Sequence, residues 1–329
     1  MMPARRRSTV LLLAALLAPG APIALGAEAP DYPARQVTLI VSFPPGGSSD
    51  FFTRLIASEL ARAWGRPVLV DNRPGAGGNI GAQAAARAQP DGHTLFMSSI
   101  NTHAINASLY KSLGYDPVKD FTPIARIATV PNVLVVNPSV PARSVPELVS
   151  WLKADPRRAL YASPGIGTGP HLSSELFRAL TGAPITHVAY KGSAPALTDV
   201  VAGQIPMAID NLPAALGLIR GGKLRALAVT AATRSGDLPE VPTMIEAGVP
   251  GFVVVSWWGL FAPAGVPEPV IRRINADVVR ALNSPAVRTS IETQGGTAAP
   301  STPAELAELV RTETARWGQL IREMGIRAE

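Results

Sequence analysis

Short apolar runs alternate along this chain with longer stretches whose apolar positions return at helical spacing. QVTLIVS (36–42) predicts a strand, and from Phe52 the positions Leu55, Ile56 and Leu60 mark a helix reaching Trp64 and Gly65. PVLV (67–70) predicts a second buried strand. The segment DNRPGAGG follows it, then a helix carrying Ile80, Ala84 and Ala88, and a third strand, HTLFMSS (93–99). This βαβαβ order implies a parallel sheet with helices on both faces and right-handed crossovers.

FTPIARIA (121–128) and NVLVVN (132–137) predict two strands separated by Pro131, a plausible crossing into a second lobe. There the pattern restarts. ALYAS (159–163), a helix from Pro170 to about Thr181, ITHVAY (185–190), a helix near 195–202, IPMAID (205–210) and LRALAVT (224–230) follow in turn. FVVVSWWGLFAP (252–263) is extended and carries the chain back, and helices near 267–282 and 303–324 complete it. The expected architecture is α/β, with residues 28–130 and 250–329 in one lobe and 131–249 in the other. Two parallel-sheet domains joined by two crossover segments suit a hinge around a cleft. A two-domain enzyme with its site at the junction would read the same.

The N-terminus changes where such a molecule works. MMPARRRSTV is a basic stretch, LLLAALLA an apolar core, and small residues run on to Ala29, the pattern of a cleaved signal peptide over residues 1–27. Removing Arg5, Arg6 and Arg7 with it takes the formal charge of +6 down to +3. That weak bias, with aromatics at only 5%, gives no nucleic-acid stripe or stacking platform. The chain has no cysteine, which excludes thiolate chemistry, disulfides, cysteine-ligated zinc and a lipidated N-terminal cysteine. A soluble, exported monomer is expected.

Three strand-to-helix corners carry candidate chemistry. In FPPGGSSD, Pro44 and Pro45 hold the chain extended. Gly46 and Gly47 permit a turn and close approach of a ligand, and Ser48, Ser49 and Asp50 are N-cap types. A helix start presented this way is an anion site, but the same residues would also serve a plain turn and cap. In YASPGIGTGPHLSSELF (161–177), Gly165, Gly167 and Gly169 precede Pro170, with Thr168 as cap or ligand donor. Leu172, Leu176 and Leu180 are expected on that helix's inner face. In AYKGSAPAL (189–197), Lys191 can face a carboxylate or only solvent. Asp210, ending IPMAID, can accept from a ligand or cap the next helix.

Catalytic constellations are not found. His93, His103, His171 and His187 form no H-x-x-x-H pair, and no G-x-S-x-G elbow occurs. His103 is a candidate for the cleft wall or a helix start. Gly75, Gly77 and Gly81 follow the second strand at the wrong spacing for a dinucleotide fingerprint, so neither cofactor nor metal is expected.

Taken together, FPPGGSSD, NRPGAGGNIGA, PDGHTL, YDPVKDFTPIA, YASPGIGTGPHL, HVAYKGSAPAL, GKLRALAVT, LPEVPTMIEAG and GLFAPAGVP resemble the Bug (TctC-like) family. These are periplasmic solute-binding receptors of tripartite tricarboxylate transporters, and the match runs from about Tyr32 to Ile326. The resemblance implies a two-lobe periplasmic-binding-protein fold of the Venus-flytrap, type II-like kind. It also implies a small organic acid held between the lobes and delivered to membrane subunits of a tripartite transporter. By motif position the ligand contacts would be Gly46, Gly47, Ser48 and Asp50 in one lobe. In the other they would be Ser163, Gly165, Gly167, Thr168, Lys191, Gly192 and Asp210. Some members of the family report ligand to a sensor kinase, and an α/β enzyme acting on a carboxylate is the rival of another class.

Overall fold

A computed structural model describes residues 32–326; the predicted signal segment lies outside the described residues. The first lobe opens with β1 (Val37–Val41), α1 (Ser48–Trp64), β2 (Val68–Asn72), α2 (Asn79–Ala86), β3 (Thr94–Ser99) and α3 (Asn106–Leu109). β4 (Phe121–Val136) crosses into the second lobe, which continues with α4 (Val145–Ala154), β5 (Leu160–Ser163) and α5 (Gly169–Thr181). β6 (Thr186–Ala189), α6 (Ser193–Val201), β7 (Met207–Asn211), α7 (Leu212–Arg220) and β8 (Arg225–Val229) complete that lobe. β9 (Val255–Pro263) returns, followed by α8 (Glu268–Asn283), α9 (Pro285–Glu292), β10 (Thr297–Ala298) and α10 (Pro303–Met324).

The parallel core foreseen for each lobe is present, as β2-β1-β3 in the first and β6-β5-β7 in the second. The crossing strands add antiparallel pairs to both, so the sheets are mixed. β9 runs against β3 and β4, and β4 runs against β7 and β8. A chain that leaves a lobe and returns must traverse the same gap in opposite directions, which makes its two crossings antiparallel.

Pro131 does not end a strand, contrary to the sequence expectation; β4 is unbroken through it. It sits where β4 changes partners. Pro131 is the last residue opposite β9, facing Val255, and Asn132 is the first opposite β7, facing Asn211. A residue without an N–H is tolerated where the ladder is handed over. Beside it, Asn132 donates its N–H to Thr230 Oγ1 at 2.8 Å, and Thr230 Oγ1 donates to the Val254 carbonyl at 2.6 Å. That staple joins the two crossings at one point.

Along β4, Val133 and Val135 enter one apolar cluster while Leu134 and Val136 enter another. The sheet is therefore covered on both faces, as period-two alternation in a buried strand requires. On α5, Leu172 and Leu176 are buried as expected, but Leu180 is exposed near the helix end.

Candidate functional site

The carboxyl ends of β1, β3, β5, β6 and β7 all open on the gap between the lobes, where α/β sheets place their ligand crevices. The inner part of this cleft is a cavity of about 640 Å3, counting its mouth open to solvent. Its lining holds one charged side chain, Lys191, and no carboxylate.

α1 starts at Ser48, earlier than its apolar spacing predicted, so Ser48, Ser49 and Asp50 lie in its first turn and do not cap it. The cap is Gly47, without a side-chain hydrogen bond to the helix. First-turn amides have no acceptor within a helix, and here they face the cleft together with Gly47, Ser48 and Ser49. Ser48 Oγ is buried without a partner. Ser49 Oγ accepts from Trp258 Nε1 at 2.8 Å, which leaves its own proton free to donate into the cavity. Of the two glycines only Gly46 needs its freedom, with φ 90°; Gly47 has φ −96° and open space where a Cβ would point. Gly47 keeps the cavity clear; Gly46 makes the turn.

Asp50, expected to touch the ligand, instead fastens the corner. Its carboxylate accepts from Gly46 N–H at 3.1 Å, Arg54 Nε at 2.9 Å and Asn72 Nδ2 at 3.0 Å. Burial pushes this carboxyl up, but the bonds from Arg54, Asn72 and Gly46 outweigh it and hold it below the usual range. An ionised carboxylate so committed supports the turn from behind and does not face an anion.

The second glycine corner is also mostly scaffold. Thr168 caps α5 by accepting from His171 N–H at 3.3 Å, and its own proton goes to the Gly165 carbonyl at 2.8 Å. Ser163 Oγ lies 2.6 Å from His187 Nε2 and accepts from Gly165 N–H at 3.2 Å. Gly167 N–H donates to His171 Nδ1 at 3.2 Å. A Cβ on Gly167 would stand 2.6 Å from Leu109 of the other lobe, so this glycine permits the lobes to approach. Gly169 N–H donates across the gap to Asn101 Oδ1 at 2.9 Å. Gly165 and Thr168 line the cleft, whereas Ser163 and Gly167 do not.

The second lobe's open donors come from the next two helices. α6 begins behind Gly192, with φ 115° and no side-chain cap, and presents Ser193 and Ala194 to the cavity beside the exposed Lys191. α7 begins behind Asn211, again without a side-chain cap, and Asn211 lines the cavity with its Oδ1 unpartnered. Asp210 is fully buried and ties these helices together. Its Oδ1 accepts from Ser193 Oγ at 2.9 Å and Asn211 N–H at 2.7 Å, while Oδ2 has no partner. Burial pushes its carboxyl up to about 7, and the two hydrogen bonds restrain it only in part.

Sequence reasoning passed over Ser99 at the end of β3 and Asn101 after it, Ser193 and Asn211, and Ser256 and Trp258 on β9, all of which line the cavity. Ser99, Asn101, Asn211 and Ser256 share one signal, a small polar residue at or next to a strand's end; Ser193 starts α6, and Trp258 has no such signal. His103 is in neither cleft wall nor helix cap. It is wholly buried, stacked 3.9 Å from the Phe261 ring, and burial pushes its imidazole down to about 3.

Comparison with known proteins places this geometry among relatives. Residues 52–326 match the family described as tripartite tricarboxylate transporter family receptor. Protein BugT of Bordetella pertussis is 41% identical over 304 residues, covering 92% of this chain and 93% of BugT. Rpa4515 of R. palustris, solved with adipate, is 41% identical with a TM-score of 0.88, covering 90% of this chain and 99% of that one. MatC from Rhodopseudomonas palustris, solved with bound malate, is 37% identical with a TM-score of 0.84, covering 88% and 100%.

Proposed function

The chain belongs to the tripartite tricarboxylate transporter receptor family, and from that premise we propose that it captures a small organic acid by a carboxylate. The observation that carries this reading is the cleft lining itself. It holds one cation and no acid, and the starts of α1, α6 and α7 open on it uncapped by any side chain. Two of the hydroxyls there, on Ser48 and Ser99, are buried without a partner. Unpaired N–H groups at helix starts, with the positive end of the helix dipole behind them, favour an anion.

The acid is held between the lobes and bound only while they are closed, because only then do α1 and α6 face one ligand. Work in the periplasm, and delivery of the closed, loaded form to transporter subunits in the membrane, follow from family membership as part of the same proposal. Among the described residues no helix is long and apolar enough to cross a membrane. The acid leaves unchanged, so the protein is a receptor and performs no turnover.

A thermal-shift screen against hexanoate, 3-phenylpropionate, adipate, malate and the neutral hexanamide tests the reading. Ligand at about a hundred times its dissociation constant stabilises a protein by about 2.7 kcal/mol. At least one acid should raise the melting temperature in proportion to its concentration, and hexanamide should not. Stabilisation by hexanamide equal to that by the acids, or by none of the five, overturns the proposal.

A further inference from the structure

The inner cavity continues into a second compartment that no part of the anion-binding argument uses. The two share Phe43, Pro44, Pro164, Thr168, Lys191 and Gly192, so they are two ends of one cleft. The character of the lining changes from one end to the other. In the outer compartment Phe43, Pro74 and Tyr110 of the first lobe face Pro164, Ile166 and Tyr190 of the second. Ile166 is one of the few large apolar side chains left exposed, at 42%. A lone exposed isoleucine needs no explanation, but one at the mouth of a ligand cleft, opposite aromatic rings, is placed to cover something apolar.

Apart from Lys191 at the junction, the polar side chains there are uncharged: Ser42, Tyr110, Thr168 and Tyr190. Tyr190 has committed its hydroxyl to Asp199 at 2.5 Å. Ser42 Oγ is buried without a partner and offers one neutral hydrogen bond. No arginine, histidine or second lysine lines the compartment; Lys191 lines both ends, and its single ammonium can pair with only one carboxylate of a ligand. The two lobes meet over this space: a Cβ on Gly77 would lie 3.0 Å from the Ile166 carbonyl oxygen. A group lodged between these side chains sheds part of its water, and a second carboxylate there would have no counter-charge of its own.

We propose that the ligand is a monocarboxylate with an apolar alkyl or aryl body, its carboxylate at the inner end and its body between Ile166 and Tyr110. The proposal rests on the carboxylate reading above and narrows it: a dicarboxylate of the same length would bury its second charge unpaired.

Isothermal titration with hexanoate, 3-phenylpropionate and adipate decides it, since adipate is the six-carbon chain of hexanoate with a carboxylate in place of its terminal methyl. Hexanoate and 3-phenylpropionate should bind at least tenfold tighter than adipate. Ile166→Lys, a change on an exposed side chain, supplies the missing cation; it should weaken hexanoate and strengthen adipate, each severalfold. Adipate binding as tightly as hexanoate, or Ile166→Lys leaving their ratio unchanged, overturns the monocarboxylate inference while the carboxylate reading stands. Failure of all three acids to bind overturns the monocarboxylate inference, and the carboxylate reading falls with it only if malate fails as well.

Discussion

The two glycine-rich corners, Pro44–Ser49 and Ser163–Pro170, look alike in sequence and do different work. Both turn from a parallel strand into a helix at the cleft, and both combine glycines, a proline and hydroxyl residues. In the first corner Ser48 keeps an unpartnered hydroxyl and Gly47 caps α1 without a side chain. In the second, Thr168 spends its proton on Gly165 and its lone pair on His171, while Ser163 is bound to His187. The second corner is a closed circuit that meets the other lobe through Gly167 and Gly169. Its lobe contributes donors to the cleft from α6 and α7. What a glycine-rich turn can bind is set by the groups it leaves unpaired, not by its glycine count.

The largest expected effect separates two carboxylates, one behind each lobe's donors. Asp50 is held below the usual range by Arg54, Asn72 and Gly46 despite its burial, so it adds stability that is lost as pH falls through its folded value. Asp210 is pushed up to about 7 by burial, so the folded protein holds a proton that the unfolded chain releases near 4. Its contribution therefore has the opposite sign: stability falls as pH rises from about 4 to about 7, by at most about 1.4 kcal/mol per unit. Urea unfolding of the wild type, Asp50→Asn and Asp210→Asn from pH 2 to 8 checks this. Asp210→Asn should gain on the wild type as pH rises from about 4 to about 7, and Asp50→Asn should lose on it as pH rises to about 5. Parallel profiles for the two variants would mean that both acids are simply ionised supports.

Next in size is Lys191, the one charged side chain facing the cavity. A hydrogen bond to a charged group contributes about 1.5–3 kcal/mol, so Lys191→Met should weaken the tightest acid of the panel roughly 10- to 150-fold. Because Lys191 is exposed and makes no ion pair among the described residues, unliganded melting should not move. Affinity within twofold of the wild type would leave the anion to the helix starts alone.

Much of this was legible along the chain, and the gaps have physical causes. Strand positions and the restart of the α/β pattern could be read because apolar runs bounded by turn residues carry them. The unbroken passage of β4 through Pro131 could not, since the pairing partners of a proline-flanked strand are set by tertiary contacts. α4 went unread although Ser144 and Glu147 form its capping pair, with Glu147 N–H donating to Ser144 Oγ at 3.4 Å and Arg143 N–H donating to Glu147 at 2.8 Å. At the site, motif position named corners that line the cleft but could not tell a spent hydroxyl from a free one. Asp50, Ser163 and Thr168 carry ligand-type groups that the fold has already satisfied. Ser99, Asn101 and Ser256 are inconspicuous in sequence and become part of the cleft only because strands distant along the chain end together.

The smallest effects give the sharpest test of the two corners, because they should cross. Ser48→Ala removes a hydroxyl that bonds to nothing in the protein, so stability should hold within about 0.5 kcal/mol. If that hydroxyl faces the acid, affinity for the panel's tightest acid should fall by about 1 kcal/mol, roughly fivefold. Thr168→Val keeps the side-chain shape and removes a hydroxyl that caps α5 and closes on Gly165. Loss of such a cap costs about 1 kcal/mol of stability, and Thr168→Ser should restore it. Affinity should change less than it does in Ser48→Ala, since the Thr168 proton is already given to a carbonyl. Calorimetric melting without ligand and titration with it, done on all three variants, measure both axes. Should Thr168→Val bind more weakly than Ser48→Ala while melting like the wild type, the corners have exchanged roles: the second is the anchor, and its internal hydrogen bonds must open when the acid arrives.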